Sequence, residues 1–260
     1  MKLADQVIVV TGGANGIGRA LCQRFALESP RGIAVADIDF EKAQLVAEEI
    51  GGFAVACDVA MENQIQQLVS DTESKFGPIN LFCANAGIVT PGGPELPDDQ
   101  WRRIFDINVM SHVYSARAVI PGMLERGQGY LLHTASAAGL LTEISSASYA
   151  VTKHGAVAFA EWLAMTYGDR GIKVSCLCPQ GVWTDMIKGD HPAAKNLQAT
   201  AISPATLAEV VVQSIEAEEF LILPHSEVRK FFQNKASDYD RWLRGMKRMR
   251  AKMYQDDPET

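Results

Sequence analysis

Short, predominantly apolar runs of strand length alternate with amphipathic stretches along the whole chain. The apolar runs lie at residues 7–10, 32–36, 53–57, 79–84, 130–134, 173–178 and 220–223. Between them, apolar positions recur at helical spacing over residues 19–28, 41–50, 62–76, 98 to about 126, 149–167 and 204–216. Strands that are apolar on both faces and joined by helices predict an α/β fold, a parallel sheet covered on two sides. A chain of 260 residues has room for two domains. No linker or composition break interrupts the alternation before residue 224, so a single doubly wound domain is expected over residues 1–224, followed by a basic helical extension over 225–260. No solenoid-period repeat or low-complexity tract is present.

Composition narrows the function classes. Hydrophobic residues make up 47% of the chain and charged residues 21%, enough apolar mass for a large core. A net charge of -7 argues against a nucleic-acid surface over the whole protein. The charge is uneven, because residues 226–253 carry nine Lys/Arg against Glu227, Asp238 and Asp240. No run approaches the length of a membrane span, and the apolar run after Asp5 is too short for a signal-peptide core. The expectation is a soluble cytoplasmic protein with no membrane partner. The five cysteines show no zinc spacing, and Cys176 and Cys178 share one face of an apolar strand, which favours packing over metal or redox chemistry.

Two stretches carry candidate chemistry. In the first, the run at 7–10 ends in Thr11-Gly12-Gly13-Ala14-Asn15-Gly16-Ile17-Gly18 and leads into a helix. Glycines between a strand and a helix let a pyrophosphate approach backbone N–H groups at the positive helix end. Asp37 follows nineteen residues after Gly18, at the end of the second strand, where a carboxylate can bind ribose hydroxyls and would repel a 2′-phosphate. This predicts NAD as cofactor over NADP. In the second, Tyr149 and Lys153 lie four apart on a helix, with Ser136 thirteen residues upstream at a strand end. Bringing a phenol from about 10 to near neutrality takes about 4 kcal/mol. A cation about 5 Å away at an effective dielectric near 20 supplies roughly 3 kcal/mol of that. Tyr149 is therefore a candidate general acid/base.

With these motifs in order, the chain resembles the short-chain dehydrogenase/reductase family from about Val7 to Leu223. The resemblance implies a Rossmann fold and hydride transfer between a nicotinamide and a substrate carbonyl or alcohol. It implies that Tyr149 exchanges the proton, Ser136 holds the substrate oxygen, Lys153 binds the nicotinamide ribose, and Asn108 anchors a proton-relaying water. Asp58 and Val59 match the pair that contacts adenine, and Asn85-Ala86-Gly87 matches the motif that lines the cofactor and steadies the sheet. In the family a Pro-Gly pair is usually followed, after one residue, by Val and Thr. Here the run is Pro179-Gln180-Gly181-Val182-Trp183-Thr184, so Gln180 replaces the glycine while Pro179, Val182 and Thr184 stay in register against the nicotinamide carboxamide.

By position, the substrate pocket draws on Leu140, Leu141, Ile144, Ile88, Trp183, Met186 and Ile187, with Glu143 as the nearby charge. This predicts an apolar secondary alcohol or ketone. The helix at 149–167 is apolar around most of its circumference, which predicts burial on two sides and a homo-oligomer, a dimer or homotetramer. The tail from Arg229 to Met253 reads as a basic helix with an apolar stripe lying on the body or on a neighbouring subunit, frayed beyond Tyr254. Two other readings stand beside an NAD-dependent dehydrogenase: a catalytically idle nicotinamide-binding sensor or scaffold, and an NADP-dependent biosynthetic ketoreductase.

Overall fold

The structure is a computed structural model that describes residues 1–255. It alternates strand and helix: β1 (Val7–Thr11), α1 (Gly16–Ala26), β2 (Gly32–Asp37), α2 (Phe40–Ile50), β3 (Phe53–Ala56), α3 (Glu62–Phe76) and β4 (Leu81–Ala84). Then come α4 (Asp98–Phe105), α5 (Ser111–Arg126), β5 (Gly129–Thr134), α6 (Ala138–Leu141), α7 (Ala147–Tyr167) and β6 (Ile172–Leu177). The chain closes with α8 (Pro192–Gln198), α9 (Pro204–Glu216), β7 (Leu221–Ile222), α10 (Glu227–Ser237) and α11 (Tyr239–Met253).

The strands form one parallel sheet in the order β3-β2-β1-β4-β5-β6-β7. The order reverses between β1 and β4, the switch point where open α/β sheets bind ligands. Alternation along β1 fixes the layers. Val7 and Val9 face the core that holds Leu68, Met123 and Ala160 from α3, α5 and α7. Ile8 and Val10 face the core of Leu21, Val46 and Val211 from α1, α2 and α9. Both faces are dry, as the uninterrupted apolar runs predict. All five cysteines are buried and free; Cys176 and Cys178 sit with their sulfurs 3.8 Å apart in the core, and burial pushes the Cys57 thiol up to about 12. Among the described residues no helix is long and apolar enough to cross a membrane, and no cluster of His, Cys, Asp or Glu could hold a metal ion.

Three elements differ from expectation. The predicted helix from Asp98 to Arg126 is α4 and α5 joined by a π-helical turn at Asp106–Met110. That turn carries Asn108, and π turns inside helices concentrate at functional sites. The basic tail is two helices, not one, because Asp238 leaves helical geometry (φ -153°) and its carboxylate caps α11 by accepting from Arg241 N at 2.9 Å. Short helices α6 and α8 are additional to the expected elements, since they lack the length that gives a readable period. The fraying expected beyond Tyr254 lies almost wholly outside the described residues.

A histidine pair is the polar exception in the α5/β5 core. His112 and His133 are fully buried with their Nδ1 atoms 2.8 Å apart, so one ring donates and the other accepts. Neither Nε2 has a hydrogen-bond partner. Burial is the main force holding both neutral, pushing His133 down to about 4; His112 also feels His133 and the Lys153 ammonium from α7. An unfolded histidine titrates near 6.5. As pH falls from about 6.5 towards 4, the unfolded chain therefore binds a proton that the folded chain refuses, and stability is lost through that window. His133 alone should remove about 2 kcal/mol between pH 7 and pH 5. Urea unfolding at the two pH values should show this loss, and replacing both rings by leucine should flatten it relative to the parent protein.

Candidate active site

The glycine turn is built by the ends of β1 and β4. Gly12 has φ +65°, and a Cβ there would come within 2.9 Å of Ala86 Cα, so only glycine lets the two strand ends approach this closely. Thr11 and Asn85 fasten the approach: Asn85 Nδ2 donates to Thr11 O at 3.0 Å, and the Asn85 and Ala86 amides donate to Thr11 Oγ1 at 3.0 and 3.2 Å. Asp37, at the end of β2, accepts from Ala14 N at 3.0 Å and from Asp39 N at 3.0 Å. It therefore braces the turn as well as presenting a carboxylate beside it. Gly18 does not face the cavity; a Cβ there would overlap the Gly12 carbonyl, so its role is to let α1 pack onto the turn.

A cavity of about 360 Å³ runs from this turn along the switch point. Gly12, Asn15, Gly16, Ile17 and Asp37 line one end, with Asp58 and Val59 beyond β3. Asn85, Ala86, Gly87, Pro179, Val182 and Thr184 line the middle, and Ser136, Tyr149 and Lys153 the other end. The turn suits an anionic dinucleotide on the evidence of its own atoms. Asn15 makes no side-chain cap to α1, whose first turn holds no acid, so the N–H groups at the positive end of that helix are left for an anion. A Cβ on Gly16 would reach to 3.0 Å from Thr184 Cγ2, which shows how narrow the passage is.

A serine cap positions the end of the cavity that holds Tyr149 and Lys153. Ser146 Oγ accepts from Tyr149 N at 3.1 Å and donates to Thr90 O at 2.6 Å, so α7 begins two residues before Tyr149 and is pinned to the loop after β4. Lys153 is buried, with Nζ donating to Thr134 O at 2.9 Å and lying 5.6 Å from the centre of the Tyr149 ring. Ser136 Oγ takes an amide from Ala138 at 3.1 Å and lies close enough to the Tyr149 phenol to pull its pKa down. The phenol is not depressed as the spacing suggested. Burial pushes Tyr149 up to about 12, against which the Ser136 hydrogen bond pulls down, and burial pushes Lys153 down to about 8. Desolvation of both groups outweighs the attraction expected between an ammonium and a phenolate.

Asn108 stands behind the cavity wall, fully buried. Its Oδ1 accepts from Ile88 N at 2.9 Å, and its Nδ2 donates to Ile88 O at 2.9 Å and Thr152 Oγ1 at 3.2 Å. The side chain thus clamps the loop after β4 to α7, with one lone pair left over. Gly87 completes the junction, since a Cβ there would lie 3.3 Å from both Asn108 Oδ1 and Lys153 Nζ.

Of the predicted substrate residues, Ile88, Met186 and Ile187 line the cavity. Leu140 and Leu141 are core residues, Trp183 is half exposed, and neither Ile144 nor Glu143 reaches the lining. Glu143 is instead turned to its own loop, accepting from Ser145 N and Oγ at 2.8 Å. Sequence reasoning missed Arg103, whose guanidinium pairs with Asp58 at 3.3 Å beside the cavity, and Gln180 as a lining side chain. Arg103 lies on a helix with no motif to mark it.

A short chain dehydrogenase family model matches residues 6–195. The chain is 34% identical over 238 residues to a 1-deoxy-11-beta-hydroxypentalenate dehydrogenase of Streptomyces exfoliatus, covering 88% of this chain and 86% of that one. It is 31% identical over 207 residues to a 3beta-hydroxysteroid dehydrogenase 2 of Eggerthella lenta, covering 76% of this chain and 79% of the other. A crystal structure of a short chain dehydrogenase/reductase from Burkholderia phymatum in complex with NAD superposes with a TM-score of 0.85 at 24% identity, over 92% of this chain and 96% of that one. The match over most of the chain, on a sheet that reverses at the glycine turn, makes this protein a member of the short-chain dehydrogenase family.

Proposed function

We propose that the protein is an NAD-dependent oxidoreductase that interconverts an apolar secondary alcohol and its ketone. The observation that carries this reading is the meeting of Tyr149, Ser136 and Lys153 at one end of a single cavity whose other end holds the glycine turn and Asp37. A bound nicotinamide supplies the hydride acceptor or donor and, when oxidised, a positive charge. The chain's own groups do the rest. Ser136 orients the substrate oxygen against the Tyr149 phenol, which gives up its proton in reduction and takes one back in oxidation. Lys153, with one carbonyl partner, has two N–H groups left to hold the nicotinamide ribose and to stabilise the phenolate. The Asn108 clamp keeps α7 in place, and its remaining lone pair can take a water. Two relatives whose names denote dehydrogenases of polycyclic hydroxy compounds support the apolar substrate class.

NAD is favoured over NADP because the Asp37 carboxylate faces the ribose end of the cavity with no cation bonded to it; its partners are the amides of Ala14 and Asp39. A sensor of the nicotinamide pool would need neither the phenol nor its serine. The outer side of α7, where Val151, Trp162 and Met165 are exposed, is where a two-fold partner would pack. Static light scattering at micromolar concentration should accordingly report a dimer or tetramer, and a stable monomer would remove this assembly.

Two further measurements address the reaction. Tyr149→Phe should lower turnover of cyclic secondary alcohols by at least about 100-fold while NADH binding, read by fluorescence, persists; turnover near the parent rate would sink the assignment of the proton donor. Because the phenol is mostly protonated at neutral pH, kcat/KM for oxidation should climb with pH above 7 in the parent enzyme. Titration with both reduced cofactors should give a tighter Kd for NADH by about ten-fold or more, the size of one lost charge repulsion, and equal or tighter NADPH binding would contradict the role given to Asp37.

A further inference from the structure

Gln180 lines the cavity, and among the described residues its side chain has no hydrogen-bond partner; its one hydrogen bond is made by the backbone N. Its Oε1 is buried without a partner. Rotating the amide by half a turn would exchange oxygen and nitrogen and leave the same position unpaired. Unpaired amides are rare in native interiors because the lost water is not replaced, and each one asks for an explanation.

The backbone that carries this amide is held on three sides. Gln180 N donates to His225 Nδ1 at 3.2 Å, and His225 Nε2 donates in turn to Gly181 O at 3.0 Å, which fixes the imidazole tautomer. Ile202 N donates to the same Gly181 oxygen at 3.1 Å. Ahead of it, Pro179 O accepts from Ala137 N at 2.8 Å and from the Ser136 hydroxyl at 3.4 Å. Gln180 is thus anchored one residue from the group that touches Ser136, so its place relative to the reacting end of the cavity is set by hydrogen bonds. The backbone is thus held firmly beside the cavity while the side-chain amide has no partner among the described residues, which leaves it to meet a ligand.

Resting on the reading of the site as an alcohol dehydrogenase, we propose that Gln180 recognises a second oxygen on the substrate. The substrate class is an alicyclic alcohol whose reacting carbinol lies at Tyr149 and Ser136 and whose ring carries a further hydroxyl. A hydroxyl both donates and accepts, so it satisfies either end of the amide. The rest of the frame meets Ile88, Met186 and Ile187 and is apolar. Gln180 is then the specificity-determining residue for hydroxylated over plain rings.

The test compares cyclohexanol with cyclohexane-1,2-diol and cyclohexane-1,4-diol as substrates with NAD, in the parent protein, Gln180→Leu and Gln180→Gly. The parent should favour at least one diol over cyclohexanol by about ten-fold in kcat/KM, the worth of one neutral hydrogen bond. Both substitutions should erase that preference, losing about ten-fold more on the diol than on cyclohexanol. NADH titration of each variant reports whether it folds and should shift Kd by less than about three-fold. A preference that survives in both variants overturns the inference, as does a parallel loss on all three alcohols. A large loss of NADH affinity in a variant that melts like the parent assigns Gln180 to the cofactor and also overturns it. Tyr149→Phe is run beside them: if it matches the parent rate, the dehydrogenase reading fails, whereas a dead Tyr149→Phe with an unchanged Gln180→Leu refutes only the role of Gln180. Failure of the parent to oxidise any of the three while NADH binds removes the substrate class and this inference together.

Discussion

A buried ammonium must find acceptors, and the arrangement around Lys153 is organised by that requirement. The side chain is almost wholly buried, and among the described residues the Thr134 carbonyl at the end of β5 is its one hydrogen-bond partner. One hydrogen bond is too few for three N–H donors, which is why burial drags Lys153 down to about 8 instead of being offset. The deficit is also what gives the residue its use, because it reserves donors on the cavity side. Reaching Thr134 requires α7 to start where β5 ends. That in turn requires Gly139, whose Cβ would collide with the Lys153 carbonyl, and Gly87, beside which Nζ has to pass.

The same end of the sheet explains why so many weak signals converge. Thr11, Asp37, Ala84 and Thr134 are last residues of parallel neighbours, so their following loops emerge on one edge. At the β1/β4 reversal those loops diverge and leave a crevice, which Asn85 bridges by tying Thr11 and Gly12 to β4. Asp37 then has two duties. It braces the Ala14 amide of the turn and presents negative charge to the cavity, so turn geometry and the charge at this end of the cavity depend on one carboxylate.

Much of this was legible in the sequence, and the limits are physical. The strand runs were found because both sheet faces are dry, leaving no alternation to blur them. Helix α9 was read to the residue because Ser203 caps it and Pro204 opens it. The π turn was not readable, since its cause is a long-range clamp from Asn108 to Ile88 with no local signature. The rise of the Tyr149 phenol was not readable in the chain alone for a related reason: spacing gives the distance to Lys153 but says nothing of how much water both groups lose. Motif positions located the site residues in the cavity, with Gly18 and Asn108 behind its wall. The placing of Gln180 at the cavity depends on a backbone contact with residue 225 that no motif encodes.

Those distant contacts give the C-terminal extension a place in the chemistry. Lys235 on α10 is buried and donates to Leu140 O at 2.7 Å, at the C-terminal end of α6, where a cation is favoured by the helix dipole. Leu140 follows closely on Ser136, so α10 is tied to the segment that leaves β5 beside the cavity. His225, just before α10, holds Gln180 and Gly181. Helix α11 continues outward, with Trp242 on the core and Tyr254 edge-on to His191 beside α8, a ring separation of 5.9 Å. The cations of α11 remain on its solvent side, so the apolar stripe and not the charge is what fixes the helix to the body. The end of the cavity beside Ser136 therefore rests in part on residues after the last strand. Changes in the extension should be felt as altered substrate affinity before they are felt in cofactor binding, because none of these contacts reaches the glycine turn.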